Sequence, residues 1–115
     1  MKRLLFLLLL TTLPAVAQAQ FSYTTQNGAV TITGYTGSGG TVIIPSTINS
    51  LPVTSIGGDA FYLCTNLTSV TISNGVNSIG NYVFSFCTNL TSINIPASIT
   101  NIGINDFRFL DVCSG

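Results

Sequence analysis

Two consecutive 23-residue stretches, NLTSVTISNGVNSIGNYVFSFCT (66–88) and NLTSINIPASITNIGINDFRFLD (89–111), carry their apolar residues in register. Leu67 matches Leu90, Val70 matches Ile93, Ile72 matches Ile95, and Val76 matches Ile99. Ile79, Gly80 and Phe84 likewise match Ile102, Gly103 and Phe107. An earlier copy (41–65) keeps the second half of the pattern in Val53, Ile56, Gly57, Phe61 and Cys64. Its first half, Val42 to Ile44, is separated from Val53 by five more residues than the later copies allow. A unit this short cannot bury its own apolar face. Stacked neighbours can, so the period predicts a solenoid in which each turn lays down a short strand on the last.

Within each turn, Val70-Thr71-Ile72 and Ile93-Asn94-Ile95 alternate apolar and polar with a period of two. The alternation predicts strands with Val70, Ile72, Ile93 and Ile95 inward and Ser69, Thr71, Ser92 and Asn94 outward. Successive strands of such a coil run parallel. Gly80 and Gly103 mark a turn before a short segment, Tyr82 to Cys87 for example, whose Phe returns to the core; α-helix and 3₁₀ are equally compatible with it. Phe21 to Thr33 differs, because two alternating runs flank Asn27-Gly28, the pair that favours a type I′ hairpin. Phe21, Tyr23, Val30 and Ile32 then share one face. The hairpin is expected to cap the first turn, since an open solenoid end exposes unpaired strand edge. Gly34 to Gly40 is a glycine-rich connection without the Lys of a phosphate-binding loop.

Composition narrows function more than it defines it. Only 5% of the 115 residues are charged, with three cations against three anions, and there is no His. The chain therefore has no basic footprint for nucleic acid and lacks the commonest metal ligand and general base. Two of the cations, Lys2 and Arg3, open a stretch that reads as a secretory signal peptide over residues 1–19. Leu4 to Leu10 is unbroken apolar, Pro14 breaks it, and Ala15-Val16-Ala17 and Ala17-Gln18-Ala19 are both small-x-small cleavage sites. Leu4 to Ala17 falls short of the roughly 20 residues of a membrane span. Cleavage leaves one cation, Arg108, against Asp59, Asp106 and Asp111, a formal charge of −2. The expected organisation is a leader (1–19), a hairpin cap with its glycine-rich connection (20–40), and repeats with a short tail (41–115).

The motif LTSxxIxxxxxxIGxxxFxxC, present as NLTSVTI and NSIGNYVFSFCTNL, resembles the BspA-like leucine-rich repeats of bacterial surface proteins. The opening TVIIPSTINSLPVTSIGGDAF is similar to a first turn of that family, and the resemblance covers roughly Thr41 to Asp111. The sequence departs from other leucine-rich repeats in carrying Gly75 and Ser98 where those place an Asn after the strand. The resemblance implies a leucine-rich-repeat solenoid of about three turns, strand-dominated, with a short parallel sheet; a small all-β solenoid or β-helix is the alternative. It also implies a secreted or surface-displayed, non-enzymatic module that recognises proteins or adheres to surfaces, with no catalytic residues to carry over. The other reading is a truncated or degenerate fragment with an assembly role. The last turn supports it, because Asp106 and Leu110 stand where Val83 and Cys87 stood. That turn is either a polar cap, with Asp106 paired to Arg108, or a decayed end.

Candidate sites are few. Cys64 and Cys87 share a repeat position about one strand spacing apart, within reach of a disulfide. Parallel Cβ vectors disfavour the bond, and two buried thiols are the plainer reading. Cys113 is off register. Three Cys without His do not make a zinc site, and neither cofactor nor metal is expected. Asn66-Leu67-Thr68 and Asn89-Leu90-Thr91 match the glycosylation sequon, but the repeat itself accounts for both. Asp59, Asp106 and Asp111 have no converging base or cation that would make a hydrolase. The candidate binding face is the outward column Ser69, Thr71, Ser92 and Asn94, with Thr41 and Ile43 beside it. Three strands by about three residues present only about 140 Å², against about 800 Å² per partner in a standard interface. The expected partner is a protein or surface ligand, with neither nucleic acid nor a membrane span after leader removal. Self-association through the C-terminal solenoid edge is a further expectation. Intact-mass analysis of the secreted chain is expected to show a new N-terminus at Gln18 or Gln20; retention of Lys2 and Arg3 would remove the leader from this reading.

Overall fold

The computed structural model describes residues 20–106. The expected leader (1–19) and Phe107, Arg108, Leu110, Asp111 and Cys113 lie outside the described residues.

Phe21–Gln26 (β1) and Ala29–Tyr35 (β2) pair antiparallel around Asn27 and Gly28, both at positive φ (54° and 77°), as a type I′ turn requires. Gly40–Ile44 (β3) follows, then the small hairpin of Thr47–Ile48 (β4) and Leu51–Ile56 (β5). Asn49 and Ser50 turn it, again both at positive φ. This second hairpin is the five-residue insertion of the first repeat: the extra residues fold back on themselves and leave the spacing of the later turns untouched. The remaining strands are Leu67–Ile72 (β6), Ser78–Ile79 (β7), Ser92–Asn94 (β8) and Asn101–Ile102 (β9).

These strands form two sheets, one more than the alternation of the sequence suggests. The expected ladder is present as β3-β6-β8, parallel, with Val42 opposite Val70 and Val70 opposite Ile93. The second sheet has the order β1-β2-β5-β7-β9, parallel from β2 onward, with Ile32 opposite Ile56, Ile56 opposite Ile79 and Ile79 opposite Ile102. Two-residue strands such as β7 leave too short an alternation to be read from sequence. The cap hairpin extends this second sheet and leaves the first one starting at β3.

The segments after Gly57, Gly80 and Gly103 form neither α-helix nor 3₁₀; they are successive turns. They are nonetheless bonded turn to turn. Asp59 N–H donates to Asn81 O (3.0 Å), Phe61 N–H to Val83 O (3.0 Å), Leu63 N–H to Ser85 O (2.9 Å) and Tyr82 N–H to Ile104 O (3.0 Å). The solenoid is thus a three-sided prism with a backbone ladder on every side. Its interior holds Ile32, Ile44, Ile56, Phe61, Leu67, Val70, Val76, Ile79, Val83 and Phe84, all buried. Tyr35, Phe61 and Phe84 stack at centroid spacings of 5.2 and 5.3 Å, and Phe21 meets Phe61 edge-on at the cap. Side chains add rungs: Ser98 Oγ donates to Val76 O (2.7 Å) and accepts from Gly75 N–H (3.1 Å).

Ile95 departs from its expected inward position. It is 38% exposed, whereas its counterpart Ile72, at the end of β6 with β8 paired beside that strand, is 3% exposed. Ile93 is half-buried. Burial at these positions comes from the neighbouring turn rather than from the residue's own strand.

Gly57, Gly80 and Gly103 stack where the prism turns a corner. A Cβ added at Gly80 would lie 2.6 Å from Gly58 N and 3.0 Å from Gly57 C, and backbone cannot yield to it cheaply. Gly80→Ala is expected to destabilise the fold by about 2–3 kcal/mol through overpacking. Urea unfolding is the measurement, with Gly28→Ala, where no atom lies within 4 Å of the added Cβ, as the turn-strain comparison.

Candidate functional site

The outward column of the first sheet is placed as the alternation requires. Thr41 pairs with Ser69 and Ser69 with Ser92; Ile43 pairs with Thr71 and Thr71 with Asn94. Ser92 and Asn94 are exposed, and Ser69 and Thr71 are half-buried. Ser92 Oγ donates to Ser69 Oγ (3.3 Å), so the hydroxyls partly satisfy one another along the ladder. The face is uncharged. It holds hydroxyl and amide groups able to bond a protein surface, and no titratable side chain stands in the column.

Elsewhere, Cys64 and Cys87 are free thiols, the first half-buried and the second buried. Cys87 S–H donates to Phe61 O (3.0 Å), and burial pushes its thiol up to about 11; burial raises Cys64 as well. A thiol held in that state is a small core residue rather than a nucleophile. The sequon asparagines sit on the turn corners, where Asn89 Nδ2 donates to Thr65 O (2.6 Å). Asp59 is exposed and stands apart from Asp106 by two turns. Among the described residues no group of three metal-ligating side chains converges, and no helix is long and apolar enough to cross a membrane. A recess of about 210 Å³ opens between the cap connection and the first turn, lined by Tyr35, Gly37, Gly39, Cys64 and Asn66 among others. Its Tyr35 hydroxyl is engaged, accepting from Gly39 N–H (3.0 Å).

Asp106 takes the place of the inward Val83 and is buried. Its Oδ1 accepts from Val83 N–H (2.8 Å) across the turn, and its Oδ2 is buried without a hydrogen-bond partner. Burial pushes the carboxyl above the usual carboxylate range, against the smaller lowering effect of the Val83 and Gly103 backbone. The residue therefore works as a side-chain cap on the preceding turn. Arg108, the expected partner, lies outside the described residues.

The turn side of the prism carries a feature that the alternation argument passed over. Tyr62, Leu63, Tyr82, Phe86 and Ile104 are all exposed there, and Tyr62 meets Phe86 edge-on at 5.6 Å. Leu63 (φ 61°), Tyr82 (φ 59°) and Phe86 (φ 61°) also adopt the left-handed conformation. That conformation costs a bulky residue ~1 kcal/mol or more. Leu63 and Phe86 share a repeat position immediately before Cys64 and Cys87. Because Phe61, Phe84 and Cys87 point inward, this outward placement could have been inferred from the repeat register.

A family model for a BspA type leucine rich repeat region, in six copies, matches residues 31–113. Among solved structures, the chain is similar to a T. pallidum leucine rich repeat protein, TpLRR. The two share 35% identity at a TM-score of 0.71, over 73% of this chain and 40% of that one. It is also similar to a leucine rich cell surface protein from Faecalibacterium prausnitzii, at 31% identity and a TM-score of 0.71, over 80% of this chain and 27% of that one. A leucine-rich repeat protein from Bacteroides capillosus shares 26% identity at a TM-score of 0.63, over 78% of this chain and 87% of that one. The chain thus spans less than half the length of the first two. Among curated proteins, none matches.

The buried Asp106 carboxyl has a signed consequence. A carboxyl whose pKa is raised on folding binds more protons folded than unfolded, so stability is full below the unfolded value of about 3.9 and falls as pH rises through the folded value. Urea unfolding is expected to show greater stability at mildly acidic than at neutral pH. Asp106→Asn, which keeps an oxygen for Val83 N–H, is expected to remove most of that difference.

Proposed function

Because the chain belongs to the BspA-type leucine-rich repeat family, we propose that it is a secreted or surface-displayed, non-enzymatic module that recognises a protein or adheres to a surface. The observation that carries this reading is the uncharged outward column of β3-β6-β8. There Thr41, Ser69 and Ser92, and beside them Ile43, Thr71 and Asn94, stand in register on a rigid ladder. Polar groups held on a rigid scaffold lose little freedom on binding, which is how a sparse surface gains affinity. A similar protein from Faecalibacterium prausnitzii is named as a leucine rich cell surface protein, which supports the proposed location. The non-enzymatic reading rests on the carboxylates, which stand apart, and on Cys87, held as a buried thiol.

The column by itself is several-fold smaller than a standard interface of about 800 Å² per partner. The reading therefore includes flanking loops, or several copies or further turns acting together. The lengths of the similar structures, which this chain spans by 40% and 27%, support the latter. A second reading, a structural or assembly unit within a longer array, draws on those same shares and on Asp106 in the last described turn.

A photo-cross-linking side chain at position 71 or 94 of the secreted chain is expected to capture a protein partner from the surroundings of the producing cell. The same group at Thr33, exposed on the other sheet, is expected to capture none. Thr71→Arg is expected to weaken the captured complex at least tenfold, about 1.4 kcal/mol. Equal capture from both sheets would sink the assignment of the face.

A further inference from the structure

We infer that the turn side of the prism is a self-association surface, on which two copies of this chain meet through Tyr62, Leu63, Tyr82, Phe86 and Ile104. This surface lies apart from the β3-β6-β8 column and goes beyond the recognition role proposed for that column.

Asp59, Tyr82 and Asn105 occupy one left-handed position of successive turns, with φ between 58° and 62°. Asp and Asn are the residues that tolerate it; Tyr is not. Leu63 and Phe86 occupy a second such position, where Gly or Asn would be unstrained. The three residues that backbone sterics disfavour are all large and apolar or aromatic, and all are exposed on the same side. Each is strained where it stands and covers little of the core. A side chain that costs stability and projects into solvent has its use outside the monomer.

The five side chains are 39–59% exposed. For residues of this size that amounts to roughly 500 Å² per copy, the upper range for a single patch on a monomer. Two such patches bury roughly 1,000 Å², the threshold for a specific but weak interface. The described residues contain no Lys or Arg, and Asp59 is the one charged group on this side. Among the described residues an anionic lipid surface would find no cation to hold it. A second copy of the same patch asks for no charge complement. A two-fold arrangement of like surfaces closes at a dimer.

Sedimentation velocity of the full chain, expressed with its own N-terminus in a secreting bacterial host and kept reduced, tests this. A reversible monomer–dimer equilibrium is expected, with a dissociation constant on the order of tens of micromolar. Phe86→Asn and Leu63→Asn are each expected to weaken the dimer at least tenfold, with a melting temperature no lower than the parent's, because Asn relieves the left-handed strain. Ile102→Asn, in the last described strand, is expected to leave the equilibrium unchanged. A monomer at about 200 µM, well above that constant, would overturn the inference. So would open-ended oligomers, or a dimer lost with Ile102→Asn but kept with Phe86→Asn. A lowered melting temperature in both Asn variants would assign the side chains to the core instead.

Discussion

Each turn of this protein exists because its backbone is bonded to the next turn some 23 residues away. The bonds run on three sides: β3-β6-β8, β2-β5-β7-β9, and the turn-to-turn bonds from Asp59, Phe61 and Leu63 to Asn81, Val83 and Ser85. Strands of two or three residues, such as β7 and β8, are too short to stand alone. They persist because they are rungs. The spacing of the rungs then dictates what fills the interior. It draws Tyr35, Phe61 and Phe84 into a stack at just over 5 Å and leaves no room for a Cβ at Gly80 or Gly103. Glycine is kept there for close approach, not for a special φ, whereas at Gly28 the positive φ is what the hairpin needs.

The first and last described turns of the ladder are finished differently. At the first end β1 and β2 close one sheet, and Phe21 lies edge-on to Phe61 over the aromatic stack. At the other, Asp106 turns inward and offers Oδ1 to Val83 N–H, a backbone donor satisfied by a side chain across the turn. The second oxygen is buried without a partner, so the same residue that satisfies one polar group introduces another. In the last described turn Asp106 thereby caps the turn before it, and Ile95 is 38% exposed where its counterpart Ile72 is buried.

Two kinds of surface result from the same coil. Sheet pleating sends Ser69, Thr71, Ser92 and Asn94 outward as a polar column. The tight turns send Leu63, Tyr82 and Phe86 outward from left-handed positions, where a large side chain has nowhere to go but solvent. The low charge of the chain follows from this geometry. Hydroxyls and amides on a ladder can bond one another, as Ser92 does Ser69, whereas like charges stacked at strand spacing would repel.

The sequence by itself determined the period, the solenoid class and the hairpin at Asn27-Gly28. It also determined the first sheet's inward residues through Val70 and Ile72, because repeat length and two-residue alternation are local patterns that need no knowledge of the third dimension. The outward placement of Ser69, Thr71, Ser92 and Asn94 follows from the same alternation. Tertiary structure alone decided the rest. The second sheet is built on segments as short as Ser78–Ile79, whose pairing depends on what the adjacent turn presents. The turns after each glycine became bonded corners because alternate N–H groups, those of Asp59, Phe61 and Leu63, find carbonyls of the next turn, while those of Ala60, Tyr62 and Cys64 bond within their own. The exposure of Ile95 and the burial of Asp106 are set by where neighbouring turns lie. A residue's place in a stack is a property of the stack, and only the assembled coil contains it.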